Sequence, residues 1–340
     1  MMLPSVTTSF EFSVKFTAIM EHNGNELALQ NSRKPALSFM LVLFFSFVGF
    51  TTLGPFLGIL FALPFPGFDL NNLLSILENP VNFPESKTPF LIIQGISSVV
   101  GFIVLPSIFL VGIQKMGFRI FFQAKTVTPV VIFVTILFII LFMVVNSVFV
   151  EWNANLKLPE FMSGFENWAR GLEDNAAVLT QFLTDFDNIG QFLIAFVVIA
   201  IIPAFGEEFV FRGLLQNYAI GFLRNPHVAI WVTAILFSGF HLQFFGFVPR
   251  AFLGVAFGYL YFWSGNLTIP IIAHFINNGF TLLMIYMYRT DAIGFDIETT
   301  ESPGVLTVIP MAFITATLLY FFHKHTFQIR KQHGDMANRV

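Results

Sequence analysis

The feature that most limits what this chain can become is a series of apolar runs, several of them about 18 to 25 residues long. A helix needs about 20 apolar residues to cross a hydrocarbon layer of roughly 30 Å, whereas a membrane strand needs only about 10. Runs of this length therefore exclude a β-barrel and predict an all-α fold, a polytopic transmembrane helical bundle. Charged residues make up only 11% of the 340, against about 25% in soluble domains, and mean hydropathy is +0.76. There is no cysteine, which removes disulfides, thiolate metal sites and a cysteine nucleophile. The net charge of -3 comes with no basic tract, so nothing points to nucleic acid.

Residues 1–34 are mixed and polar and lack the pattern of a signal peptide; they read as a cytoplasmic tail, with Met20 as a second candidate start. Three spans follow within 35–150: about 35–63, closed by Pro64-Phe65-Pro66-Gly67, then 89–113 and 128–150. Residues 151–187 are acidic and extramembrane, with a short amphipathic helix expected over about 162–183; this segment is a linker or a cap over a substrate entrance. One long helix kinked at Pro203 is expected over 188–223, then spans at 227–245, 250–264, 267–288 and 304–322, eight in all. The chain divides accordingly into 1–34, 35–150, 151–187, a core at 188–288, and a last loop, span and basic tail at 289–340.

Lysine and arginine near span ends are retained on the cytoplasmic side. Arg33, Lys34, Lys115, Arg119, Lys125, Arg224, Lys324, Arg330, Lys331 and Arg339 share one side, and the acidic loops 151–187 and 289–303 take the other. Both termini are then cytoplasmic, in what reads as a prokaryotic cytoplasmic membrane. Lys87, Arg250 and Arg289 are exceptions.

Three charges inside six residues, Glu207, Glu208 and Arg212, interrupt the fourth span. Left unpaired in lipid they would cost on the order of 7 to 10 kcal/mol, at about 2.5 to 3.5 each. Glu208 and Arg212 are four apart with the acid first, the favourable order for a helical ion pair, and can neutralise one another. Glu207 projects about 100° away and is free to act as a general base. Phe237 and His241 in the fifth span, and His274 and Asn278 in the seventh, are also four apart and share a helix face. A base, two imidazoles and a carboxamide are sufficient parts for hydrolysing an amide with an activated water. No H-E-x-x-H or G-x-S-x-G is present, yet Glu207, His241 and His274 are residue types that bind zinc, and a divalent metal stays open as a cofactor.

The ordered motifs Glu207-Glu208-x-x-x-Arg212, Phe237-x-x-x-His241 and His274-x-x-x-Asn278 resemble those of the CPBP intramembrane proteases, also called the Abi or CAAX protease family. The resemblance covers about 188–288. It implies that Glu207 activates water with help from His241, that His274 and Asn278 form the oxyanion hole, and that Glu208 and Arg212 hold the site together. It implies a peptide or protein substrate met in or at the bilayer, of the CAAX type or the leader and bacteriocin type. The family has been described as metalloproteases, while members akin to prenyl-protein endopeptidases work as glutamate proteases. A non-catalytic immunity or scaffold protein of the same fold is the alternative. A transporter is disfavoured, because no internal repeat is visible.

Overall fold

The computed structural model describes residues 29–30, 32–66, 68, 71, 73–186, 188–294 and 301–337. Most of the expected tail at 1–34, the centre of the 289–303 loop and Arg339 lie outside the described residues. The described residues form helices and connecting turns without a strand. The membrane-length helices are α1 (Pro35–Ala62), α2 (Pro84–Ile113) and α3 (Pro129–Ala154). An amphipathic helix α4 (Ser163–Thr184) follows, at the expected place in the acidic segment. The core is α5 (Ile189–Leu223), α6 (Pro226–Gly239), α7 (Phe247–Ser264) and α8 (Thr268–Arg289), and α9 (Val305–Ala337) completes the chain. Six of these are long and apolar enough to cross a membrane, and the shorter or less apolar α6 and α7 bring the bundle to eight, an integral membrane protein.

Local chemistry sets many of these boundaries. Thr128 and Asn225 accept hydrogen bonds from the first free N–H groups of α3 and α6, each followed by a proline whose missing N–H costs nothing there. Arg224 and Gly265 end α5 and α7 in the left-handed conformation. Arg330 from α9 donates to the carbonyls of Phe262 and Trp263, a cation placed at the C-terminus of α7. The expected end of the last helix at 322 is corrected: no breaker follows Phe322, and α9 runs through the charged tail to Ala337.

The second half of α5 lies at the centre. Every residue from Phe209 to Gly221 is buried, as expected of a helix enclosed on all sides. Among its polar members, Gln216 donates to the Gly258 carbonyl of α7, and Asn217 to Gly213 and Tyr261. The α1–α2 pair packs against it on one side, with Gly54 so close to α2 that a Cβ would lie 2.5 Å from Ser97 Cα. Helices α6 to α8 cover the rest, with α3 and α9 outside α7 and α8. Phe44, Phe47, Phe56 and Phe61 project outward from α1, in keeping with lipid-facing bulk.

Helix α4 is fastened over the α6–α7 connection. Its Glu173 accepts from the Phe245 N–H at 2.9 Å, and Arg170 lies 3.9 Å over the Phe245 ring. Arg170 also binds Glu166, which accepts from the Leu158 N–H; these two donors hold the Glu166 carboxyl below the usual carboxylate range. Lys87 and Arg289, two exceptions to the charge pattern, bind the end of this segment: Lys87 donates to the Asp185 carbonyl, and Arg289 pairs with the Asp185 carboxylate at 3.2 Å.

Candidate functional site

In α5 the two acids go to different places. Glu208 is fully buried and its Oε1 receives Arg212 Nη1 at 2.8 Å, the expected i,i+4 pair. Arg212 is 1% exposed; its Nη2 donates to the Gly254 carbonyl of α7 at 2.9 Å, and the guanidinium lies 4.6 Å from the Phe237 ring and 5.3 Å from that of Phe257. The same Glu208 oxygen is 2.8 Å from His274 Nδ1. A carboxylate paired with arginine can only accept, so Nδ1 carries the hydrogen and Nε2 is turned the other way. There it stands 4.0 Å from Glu207 Oε2. Glu207 makes no hydrogen bond to the described residues, and 14% of its side chain is exposed.

Phe237 is the partition between the polar groups. It stands edge-on to His274 and His241, with centroids 6.0 and 5.4 Å away, while His274 stacks on Phe257 at 5.1 Å. His241 Nδ1 is 3.0 Å from the Phe237 carbonyl, which only accepts, leaving Nε2 free. The fifth span was expected to continue to 245, leaving His241 near an outer end and far in depth from His274. The helix instead stops at Gly239, and its 14 residues are about 21 Å long at 1.5 Å per residue. His241 sits in the following turn, where Leu242 takes a positive φ of 53°, and both histidines line one cavity.

That cavity, of about 230 Å³, is lined by Glu207, His241, His274 and Asn278 together with Phe237. Asn278 is set by α5 itself. Pro203 has no N–H to give the carbonyl four residues before it, Ile199, and Asn278 Nδ2 donates there at 3.1 Å. Its Oδ1 accepts from Asn277 at 3.0 Å. Besides Pro203, α5 has π-helical turns at Phe196–Ile201 and Phe209–Gln216, before and after the segment bearing Pro203 and the acids.

Of the seven residues singled out in the motifs, Glu207, Phe237, His241, His274 and Asn278 line the cavity, and the Glu208–Arg212 pair lies behind it, bonded to His274 through Glu208. Three further polar cavity residues were not foreseen: Gln94 from α2, Asn277 from α8 and Arg250 from α7. Arg250 carried a signal, being a cation on the acidic side of the bundle. Gln94, the amide brought in from outside the motif-bearing core, makes no hydrogen bond to the described residues. For a metal, the donors present are Glu207, His241 and His274, but among the described residues no three such side chains are grouped as ligands of one ion.

Comparison with known proteins bears on the same stretch. Residues 189–280 match the family model of the type II CAAX prenyl endopeptidase Rce1-like proteins. Over 84 residues the chain is 30% identical to the uncharacterized protein YpbD of Bacillus subtilis, covering 24% of this chain and 40% of that one. Over 91 residues it is 33% identical to the membrane-embedded CAAX protease MroQ of Staphylococcus aureus, covering 25% of this chain and 36% of the relative. The matched stretches thus span 40% or less of these curated relatives. No solved structure matches the chain.

Proposed function

We propose that the protein is an intramembrane endopeptidase in which Glu207 activates the attacking water, a reading supported by the match of residues 189–280 to the type II CAAX prenyl endopeptidase Rce1-like family model and by the similarity to a membrane-embedded CAAX protease. The observation that carries this reading is the single cavity shared by Glu207, His241, His274 and Asn278, with the buried Glu208–Arg212 pair behind it. Glu207 Oε2 and His274 Nε2 are 4.0 Å apart. A water about 2.8 Å from each fits between them. Glu207 takes its proton as the water attacks the peptide carbonyl, and the free Nε2 of His241 assists from the cavity mouth.

His274 and Asn278 then stabilise the developing oxyanion. For His274 this has a chemical requirement. Its Nδ1–H is given to Glu208, so Nε2 can donate to the oxyanion only while it too carries a hydrogen. Asn278 keeps one amide hydrogen beyond the one given to Ile199. Glu208 and Arg212 act through their neighbours: one fixes the His274 ring, the other ties α5 to α7. A divalent metal is not assigned a step, because the donors do not converge on one ion.

The substrate class that fits is a peptide reached in or at the bilayer, with 188–288 as the catalytic core and the preceding spans shaping access. In this reading both termini face the cytoplasm. Glu207→Gln keeps the shape and should lower proteolysis by about 10²- to 10⁴-fold, the usual worth of a general base. The decisive measurement compares the peptides of a deletion strain restored with wild-type or Glu207→Gln copies. Cleavage products common to both would sink the protease reading and leave a binding or immunity protein in its place.

A further inference from the structure

The chemistry proposed above leaves one charged wall of the cavity idle. Arg250 lies there, on the face of α7 that also presents Leu253 and Phe257 to the cavity, one turn before the Gly254 carbonyl that holds Arg212. Its Nη2 donates to Gln243 Oε1 at 2.6 Å, while Nη1 is buried and makes no hydrogen bond. Among the described residues no carboxylate oxygen comes within 4.0 Å of it; Glu173 and Glu207 face it from farther away. The cation is therefore held in place by a neutral partner and left with a free donor. Burying an unpaired N–H of a charged group is costly, and a guanidinium presents parallel N–H groups that match a carboxylate.

We propose that Arg250 binds a carboxylate of the peptide substrate and is a specificity residue of this site. The inference rests on the protease reading for what the ligand is, and on Arg250's own surroundings for which group it takes. In so small a cavity the carboxylate held by Arg250 lies close to the bond presented to Glu207. That carboxylate is the free C-terminus or an Asp or Glu side chain beside the cleaved bond. Two rival roles exist within the same geometry. Arg250 would serve only as the distant counter-charge of Glu173 and Glu207, or only as a tether of the α6–α7 turn through Gln243.

The test uses the full chain in lipid nanodiscs and synthetic random octapeptides in four pools: C-terminal acid or amide, each with or without Asp and Glu. Wild-type cleavage is read by mass spectrometry. Retention on an immobilised Glu207→Gln background is read in parallel and needs no turnover. Wild type should favour carboxylate-bearing pools by about tenfold, the equivalent of one well-made interaction. Arg250→Gln should bring that ratio to near one in both readouts, Arg250→Lys should fall between, and Gln243→Ala, which removes the tether alone, should keep the preference. Loss of preference on amidation alone assigns the C-terminus, and loss on omitting Asp and Glu alone assigns a side chain. An unchanged ratio in Arg250→Gln, an equal slowing of all four pools, or no carboxylate preference in wild type overturns the proposal. If wild type cleaves no pool, or Glu207→Gln cleaves as well as wild type, the protease reading fails, and retention still decides the role of Arg250.

Discussion

Replacing Arg212 by methionine keeps most of the side-chain volume and removes only the charge and its donors. The loss can be followed atom by atom. Glu208, fully buried, loses the 2.8 Å contact to Nη1 and retains the His274 ring as its one partner, while its Oε2 already has none. The Gly254 carbonyl loses its donor at 2.9 Å, and the rings of Phe237 and Phe257 lose the cation between them. Stranding one member of a buried ion pair costs about 3 to 5 kcal/mol, and Arg212→Met should destabilise the protein by that amount. Adding Glu208→Gln removes the stranded charge, so the double variant should be more stable than the sum of the two singles by about 1 to 3 kcal/mol. The chain has no cysteine, so one introduced at a buried position reports unfolding through its reaction with a thiol dye, without background. A loss below about 1 kcal/mol for Arg212→Met, or strict additivity of the pair, would refute the reading that these two charges neutralise one another.

Glu207 offers the contrast: it makes no hydrogen bond to the described residues, with His274 Nε2 4.0 Å away, and Glu207→Gln should change stability by less than about 0.5 kcal/mol in the same assay while cleavage is lost. Pro203→Ala supplies an N–H to the Ile199 carbonyl and competes with Asn278; it should leave stability equal or higher yet reduce turnover, and unchanged turnover would separate Asn278 from that carbonyl. Gly258→Ala places a Cβ 2.8 Å from Ile230 Cγ2 and 3.0 Å from Gln216 Oε1, which should cost about 1 to 3 kcal/mol in thermal unfolding. At α4 the lowered acidity range of Glu166 fixes the sign of a pH effect. Its anchorage is complete above the unfolded carboxyl's pKa of about 4.3 and is lost as pH falls through the lower folded value. Protection from hydrogen exchange at Leu158 and through α4, taken relative to the intrinsic exchange rate at each pH, should fall on acidification, and Glu166→Gln should abolish the dependence.

The sequence made the motif faces legible because residues four apart on a helix share a face whatever surrounds them. Glu208 and Arg212, and His274 and Asn278, needed only that rule, whereas His241 lies beyond the end of its helix and is carried to the cavity by the turn. The end of α6 was hidden because Phe240, Leu242, Phe244 and Phe245 have the hydropathy of a membrane helix. Their apolar character serves other contacts: Phe240 packs on Phe47, Phe102 and Phe211, Phe244 on Phe165 of α4, and Phe245 is buried beneath Arg170. Gln94 and Arg250 were invisible as cavity residues because their neighbours come from helices far away in sequence. The charge pattern did single out Lys87, Arg250 and Arg289 as misfits, and each has a local reason in the fold: two bind Asp185 and the third enters the cavity. The bond between Asn278 and Ile199 was half written in Pro203, which announced a carbonyl in want of a donor but not where the donor would come from.

One pairing in the core bears on how such a chain can drift. Arg212 and Gln216, a turn apart on α5, donate to the carbonyls of Gly254 and Gly258, a turn apart on α7. The acceptors are main chain, so no substitution in α7 can delete them. Mutation can remove the donors or fill the space, and at these two rungs α7 can lose the contact only by growing side chains where it has none. Among descendants of this sequence the clasp should therefore fail abruptly when one of those two glycines or one of the two donors is exchanged, while Phe257 between the glycines is held for another reason, its contacts with His274 and Arg212.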